Sequence, residues 1–528
     1  MIPPFCLSSA HSKSTVMKKI FYIAIFLSSF QTILAQIPED AIRLSWTTPS
    51  GTARHQAIGG AMGSLGGEIT STFVNPAGLG LYKTGEFVLS PGLSLLKGKS
   101  TFRGTDAKTN MLAKFNFGTS GVVWGHANRY GKWTSSAFSF AFNRTANFNN
   151  TSFYRGQNDN SSYSEAFALE LSNSGLSIDD VRNSNLSLGT KMAVYTYLID
   201  TATRGGILEV IGRPEYLANR NQEVFTESKG GITELSFGAA ANMEDKLYVG
   251  GSLGVPILNY SRDRRLIESD PANDTTNEFG FSRFEENYSV KGIGLNVKLG
   301  LIFKPVEYVR IGFAVHSPTL FGLKDEYGGK MVTDVERLFG PNDKGIDSIA
   351  SDYYFGNSTE AFKYDLISPW KVLVSASYVL HETEDVTRQK GFITADVEYV
   401  THKSSKFGSA EENGDNTYYK GVNSGIKQVY KNAFNFRIGG ELKFKTIMTR
   451  LGFALFGNPY KESALKGRRM NLSGGLGYRN RGIFVDLTYV HSLNRDVNFP
   501  YRLSDKPNTF AEIKDSNGNI LVTVGFKF

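Results

Sequence analysis

The sequence predicts an all-β fold: a transmembrane antiparallel β-barrel of about 14 strands with a small N-terminal hatch, or plug, inside its lumen. Three observations carry this. Long stretches alternate apolar and polar residues with period two. Short connections between those stretches alternate with long polar ones. Beyond residue 35 no apolar run is long enough for a membrane helix, while glycine (55 of 528 residues) and aromatic side chains (13%) are abundant. A chain that crosses a membrane without helices must satisfy its backbone between strands, and only a closed barrel does so.

In chain order, residues 1–16 read as an extension ahead of the true start at Met17. Lys18 and Lys19 then precede an apolar run over 20–34, and Ala35 and Gln36 form a small-residue exit, so 17–35 reads as a secretory signal peptide cleaved near Ala35. About 15 apolar residues fall short of the roughly 20 that span a bilayer. The one cysteine, Cys6, lies upstream of this run, so the mature chain forms no disulfide. The formal net charge of +8 is made of intermixed signs, which points neither to nucleic acid nor to a strongly acidic partner.

Residues 36–84 form the plug. Their centre, 58–82, reads IGGAMGSLGGEITSTFVNPAGLGLY. It is too rich in glycine for an ordinary amphipathic helix and too poor in charge for a solvated linker, so it packs inside something larger. Pro76 fixes its own φ and holds Asn75 extended, and Gly78 completes a turn.

Residues 85–528 form the barrel with its long loops. Over 291–303 one face carries Ile293, Leu295, Val297, Leu299 and Leu301, and the other Gly292, Gly294, Asn296, Lys298 and Gly300. The same split separates Phe434, Phe436, Ile438, Leu442 and Phe444 from Asn435, Arg437, Gly439, Glu441 and Lys443. Strand starts fall near Glu86, Met111, Trp133, Gly231, Lys246, Phe281, Glu307, Leu366, Lys390, Ala433, Ile447, Arg469, Gly482 and Gly518. Short turns at 128–132, 243–246, 304–307, 445–448 and 479–482 mark one end of the barrel, and long polar connections the other. The lumen-facing ionisable set (Arg310, Asp396, Glu398, Arg437, Glu441, Lys443 and Asp486) reads as a mutually compensated wet interior. The chain ends on Ile520, Val522, Val524, Phe526 and Phe528, all on one face. Just before, 515–519 carries part of a calcium-loop pattern but lacks its later glutamate, so it reads as a turn and no metal site is expected.

The longest insertion, 149–230, reads as extracellular loop rather than wall. It contains two short helical patterns, 165–171 with Phe167, Leu169 and Leu171, and 191–199 with Val194, Tyr195 and Leu198. Two apolar helical pieces in an exposed loop need cover, from each other or from another surface, and Leu186, Tyr197 and Ile207 fit either arrangement.

Nothing in the chain makes an enzyme. His55, His126, His316, His381, His402 and His491 stand singly, without H-E-x-x-H, C-x-x-C or G-x-S-x-G. No cofactor is expected. Haem capture needs an axial His, Tyr or Cys in a pocket; His55 lies near the plug and His316 faces the lumen, one histidine per site.

The run GGAMGSLGGEITSTFVNPAGLGLY, placed between a signal peptide and the first strand, resembles the hatch of the long-chain fatty acid transporter family of Gram-negative outer membranes (FadL/TodX type), some of whose members are labelled hemin receptors. Asn75-Pro76-Ala77 stands where that family carries its NPA motif. Residues 291–318 (KGIGLNVKLGLIFKPVEYVRIGFAVHSP) and 365–380 (DLISPWKVLVSASYVL) are similar to it as well. The resemblance implies a monomeric outer-membrane channel for passive uptake of hydrophobic small molecules, long-chain fatty acids first. It implies a hatch face of Phe73, Val74, Asn75, Pro76, Ala77 and Leu79, and a loop landing surface of Phe167, Leu171, Val194 and Leu198. It implies contact with outer-membrane lipid and lipopolysaccharide, and with the barrel assembly machinery through Phe528. Haemin uptake and a non-transporting surface or adhesin barrel are the alternatives; a glycine-rich plug favours transport. The family opens its wall sideways at a kink in the third strand, whereas residues 133–148 here contain neither glycine nor proline, so no kink is expected.

Overall fold

The computed structural model describes residues 38–528 apart from 48–49, 129, 341–344, 358, 382–389, 412–415 and 464. The leader, Cys6 and the cleavage point lie outside the described residues. Fourteen antiparallel strands close into a barrel. The first is broken into three pieces: β1 (Glu86–Leu89, Pro91–Leu96 and Gly98–Phe102). The wall continues with β2 (Thr105–Lys108, Leu112–Phe117 and Ser120–Ala127), β3 (Trp133–Asn147 and Asn150–Asn158), β4 (Arg220–Met243), β5 (Leu247–Ser269) and β6 (Phe281–Val306). Then come β7 (Val309–His316 and Leu320–Asp334), β8 (Glu360–Ile367 and Lys371–Leu380) and β9 (Gly391–Val400 and Lys406–Ser409). The last five are β10 (Ala433–Phe444), β11 (Ile447–Phe456), β12 (Arg469–Asn480), β13 (Ile483–Asn498) and β14 (Ala511–Lys527). Closure is direct: Phe87 of β1 stands opposite Phe526 of β14.

The alternation does what the sequence requires of it. Ile293, Leu295, Val297, Leu299 and Leu301 all point outward and stay exposed, as do Phe434, Phe436, Ile438, Leu442 and Phe444. Apolar side chains outside and polar ones inside are stable only when the outside is lipid. Tight turns at one end force positive φ on Glu244, Asp245, Lys445 and Arg481.

Two expectations are corrected. The 149–230 insertion is not all loop, because Asn150–Asn158 continues β3 and pairs with the start of β4 at Arg220–Ser228. One face of these pieces is buried beneath the insertion and mixes polar Asn158 and Gln222 with Tyr154 and Val224, because beyond the lipid no apolar face is required and alternation loses its signal. Residues 515–519 are not a turn either: Asp515 pairs with Asn494 and with Gly98, inside β14.

Within the barrel lie α1 (Pro38–Arg43), α2 (Ala53–Ala57), α3 (Ser71–Val74) and a 3-10 turn over Pro76–Leu81. The insertion supplies α4 (Ser164–Ser174) and α5 (Leu188–Tyr195), and the β9–β10 connection supplies α6 (Thr417–Val429). One face of α6 buries Tyr419, Val422 and Ile426 against Ile42, Leu44, Tyr288 and Tyr364, so a loop helix and the N-terminal segment share one core in the barrel mouth.

Candidate functional site

The plug is built by short local rules. Asn75 caps the turn that follows it, its Oδ1 accepting from Ala77 N at 3.2 Å. Its Nδ2 faces Gly63 O at 2.6 Å within the plug, and Leu301 O at 3.2 Å and Phe313 O at 3.4 Å on β6 and β7. One amide thus holds two plug turns and two wall strands. His316 Nε2 bonds Val74 O at 2.8 Å. Phe73 packs with Leu79, Val123 and Ala240, Ala77 packs with Tyr248 and Ile302, and Pro76 lies against Gly250. The six hatch-face residues named from the sequence therefore lie together, against the wall of β2 to β7.

On the opposite side the wall is carved to the plug's shape. Gly452 and Gly439 face inward, and a Cβ on either would overlap the backbone of Ile58 or Gly59. Gly300 leaves room for the Asn75 carboxamide in the same way. Charges complete the seat. Asp396 accepts from Met62 N and Gly63 N, both at 3.1 Å, and Arg310 donates to Leu65 O at 2.8 Å. Arg54 pairs with Glu441 at 3.2 Å, and Glu441 and Asp486 both pair with the fully buried Arg450 at 2.6 Å. Of the lumen set read as a mutually compensated wet interior, Arg310, Asp396 and Glu441 grip the plug, while Glu398 pairs with Arg437 and Asp486 with Arg450. A group of three or more metal-ligating side chains is not found among the described residues.

Above the plug lies a cavity of about 800 Å³. Ile42, Trp46, Tyr260, Tyr288, Phe456, Tyr460 and Phe499 give it aromatic and apolar walls. Arg43, Arg144, Arg262, Arg264, Arg469 and Arg502 line it too, against Glu39, Glu286, Asp496 and Asp515. Guanidinium and ring are paired repeatedly: Arg469 stands 3.8 Å over Trp46, Arg502 4.1 Å over Phe499 and Arg262 5.4 Å from Tyr288. Arg264 is neutralised by Glu286 at 2.7 Å, but Arg144, Arg262 and Arg469 have no carboxylate within ion-pair distance among the described residues. Such a surface accepts an apolar body and an anionic head together.

The cavity reaches the wall where β2 and β3 are no longer paired with each other. Pairing between β2 and β3 runs from Ala127–Ser135 up to Ser120–Phe142 and stops. Above it, Leu112–Phe117 pairs only with β1, and 143–147 only with β4. Asn116, Phe117, Arg144, Asn147 and Phe148, on both lips, line the cavity. Phe115 is paired with Leu93, six positions above Phe87 on β1, or roughly 15 Å up a tilted strand and so inside the apolar band of about 25 Å. The third strand, in which no kink is expected, is irregular in register. Thr145 bulges out of register between Arg144 and Ala146, and β2 breaks at Gly118 and Thr119. A bulge bends a strand without glycine or proline, which is why residue type gave no warning.

The loop residues are placed differently from the hatch face. Leu171 and Leu198 are fully buried in a core with Tyr163, Leu188, Met192, Phe279 and Phe284, while Phe167 and Val194 pack half-buried against it. Leu186 joins that core and Tyr197 is exposed. From this crown Leu188 reaches the cavity. The cavity tyrosines and arginines, and α6, were not found from sequence; the strand-face parity of Tyr260 and Tyr288 was the available signal.

No family model and no curated protein matches the chain. Solved structures do. A Pseudomonas aeruginosa FadL homologue matches with a TM-score of 0.53 at 12% identity, over 92% of this chain and 100% of that one. The Ralstonia pickettii toluene transporter TbuX (TM-score 0.47, 15% identity, 91% and 98% covered) and the Pseudomonas putida toluene transporter TodX (0.47, 12%, 92% and 100%) are also similar. The chain therefore has the fold of that FadL homologue.

Proposed function

We propose that this chain is a passive outer-membrane channel for hydrophobic small molecules, and that its preferred cargo is an amphipathic acid of which long-chain fatty acids are the first example. One observation carries the reading: an arginine-and-aromatic cavity sits above a seated plug and reaches the stretch of wall where β2 and β3 are unpaired. The fold shared with the FadL homologue supports hydrophobic transport. The cationic cavity favours an acid over a neutral hydrocarbon. Burial of an acyl chain contributes about 0.8 kcal/mol per methylene, enough to draw cargo in without an energy source. Leaving through the gap, the cargo passes from cavity to lipid without crossing the plug. Phe167, Leu171, Val194 and Leu198 brace the crown over the mouth, so cargo lands beside Leu188 rather than on them.

Haemin has one observation in its favour, since it too is an amphipathic acid and Tyr260, Tyr288, Tyr327, Tyr460 and Tyr501 line the cavity. His55, His316 and His402 lie outside that lining. Trp46 in the cavity wall provides the test. With Trp124, Trp133 and Trp370 replaced by phenylalanine, a brominated long-chain fatty acid quenches Trp46 on titration, and Arg469→Gln weakens it at least tenfold while a long-chain alcohol is unaffected. Quenching by the alcohol alone, or by neither, overturns the amphipathic-acid reading; haemin alone binding selects the second.

A further inference from the structure

Two rows of lysines stand on the outer face of the barrel. Lys514 of β14, Lys99 of β1 and Lys108 of β2 are directly cross-strand paired, in that order. On the far side Lys291 of β6, Lys324 of β7 and Lys363 of β8 are paired in the same way. All six are exposed. Like charges directly opposite each other on one face of a sheet repel, and here the arrangement occurs as a triplet twice. Asp106, Glu512 and Glu326 pair with Lys99 at 2.7 Å, Lys514 at 3.5 Å and Lys324 at 2.8 Å, each from a neighbouring position rather than from within the row. Each row keeps a surplus of positive charge.

Both rows stand at one height. Lys514 lies twelve positions above Phe526, Lys99 twelve above Phe87 and Lys291 twelve above Phe303, all outward apolar residues at the turn end of the barrel. At about 2.5 Å of rise per residue on a tilted strand this is roughly 30 Å, just beyond an apolar band of about 25 Å. Below the first row the outer face is apolar at Leu93, Phe115 and Ile520, and below the second at Ile293, Leu295, Leu320 and Ile367. The arrangement is therefore cations at headgroup level over a surface that accepts acyl chains.

We propose that each lysine triplet binds the phosphate groups of a phosphorylated, multiply acylated glycolipid of the outer leaflet, the chemistry of the lipid anchor of lipopolysaccharide. The inference rests on the outer-membrane placement. A diacyl phospholipid brings one phosphate and two chains, whereas three abreast lysines span about 10 Å across strands, which suits a lipid with two separated phosphates. Lys108 also stands on β2, the strand that forms one lip of the wall gap, so a lipid held there fences the exit on one side.

The test is native mass spectrometry of the refolded mature protein in detergent, with bis-phosphorylated hexa-acyl lipid A, the same lipid after phosphatase treatment, and phosphatidylglycerol. The wild-type chain is expected to retain two lipid A molecules, and to hold the dephosphorylated lipid and phosphatidylglycerol at least tenfold more weakly. The variant Lys99→Gln/Lys108→Gln/Lys514→Gln loses one of the two, Lys291→Gln/Lys324→Gln/Lys363→Gln the other, and the corresponding Lys→Arg variants keep both. Equal retention of the dephosphorylated lipid or of phosphatidylglycerol by the wild-type chain overturns the proposal without using any variant. So does full retention when all six lysines are glutamine. Insertion of the refolded protein into lipid vesicles, read separately, tells failure of this proposal from failure of the membrane placement.

Discussion

Substituting Gly452 by alanine tests whether the plug is held by shape. Gly452 lies on β11 facing the lumen, and a Cβ there overlaps Gly59 N and the Ile58 carbonyl carbon. Both are backbone atoms, so no side-chain rotation relieves the clash; the plug must lift. Lifting it also breaks the bond from Gly59 N to Ser473 Oγ at 3.2 Å and the bond from Ser473 Oγ to Ala57 O at 3.0 Å. Overpacking costs about 1–3 kcal/mol and a buried hydrogen bond about 1 kcal/mol. A penalty of roughly 3–5 kcal/mol moves the ratio of seated to lifted plug about 150-fold to nearly 5,000-fold. Gly474→Ala on the adjacent strand is the control, because it faces lipid and its nearest neighbour, Leu451 Cδ2, is at an ordinary 3.5 Å. The assay is tryptic cleavage after the half-buried Arg54, with leakage of a small sugar from liposomes measured alongside. Both rates rise in Gly452→Ala and stay at the wild-type level in Gly474→Ala. Unchanged rates in Gly452→Ala, or the same rise in both variants, refute shape-based seating.

Three further predictions follow from named contacts. Asn75→Ala removes the amide that spans two plug turns and two strands, at about 2–4 kcal/mol for a lost cap and orphaned carbonyls; sugar exclusion by liposomes should weaken, and an unchanged leak rate speaks against the role. Arg450→Met strands Glu441 and Asp486 without their common partner, a loss of about 3–5 kcal/mol for a broken buried pair, visible as a lower urea midpoint in micelles; a shift below about 1 kcal/mol would show the network to be dispensable. Glu268 lies in the crown beyond the lipid, where burial pushes its carboxyl up to about 7 against hydrogen bonds from Gln222 and Ser162. The folded chain then keeps a proton that the unfolded chain has lost, so crown stability falls as pH rises from about 4.5 to about 7 and levels off above. Protease resistance of the crown follows that curve, and Glu268→Gln flattens it; a crown that stabilises over the same range contradicts the assignment.

The barrel was legible because lipid imposes a strict rule on every second residue, and Ile293 to Leu301 obey it without exception. The turn after Asn75 was legible because Asn75 and Pro76 leave few alternatives locally. Legibility stopped where the solvent changed. Above the membrane, Asn150–Asn158 and the first residues of β4 are strands whose buried face mixes polar Asn158 and Gln222 with Tyr154 and Val224, and their sequence looks like loop. The wall gap depends on Thr145 slipping one position against β4, a register fact that one strand's residues do not encode. The cavity is drawn from the plug, the strands and the loops at once, so its arginines and tyrosines had no common spacing to reveal them.

The central claim is that the barrel admits amphipathic acids and shuts out hydrophilic solutes while the plug stays seated. Uptake into liposomes bearing the refolded mature protein, with a long-chain fatty acid, haemin and a small sugar compared side by side, tests it most directly. The account predicts fatty acid entry that saturates with concentration, and sugar excluded at the rate of empty liposomes. Free entry of sugar, or fatty acid uptake no faster than in protein-free liposomes, would contradict it.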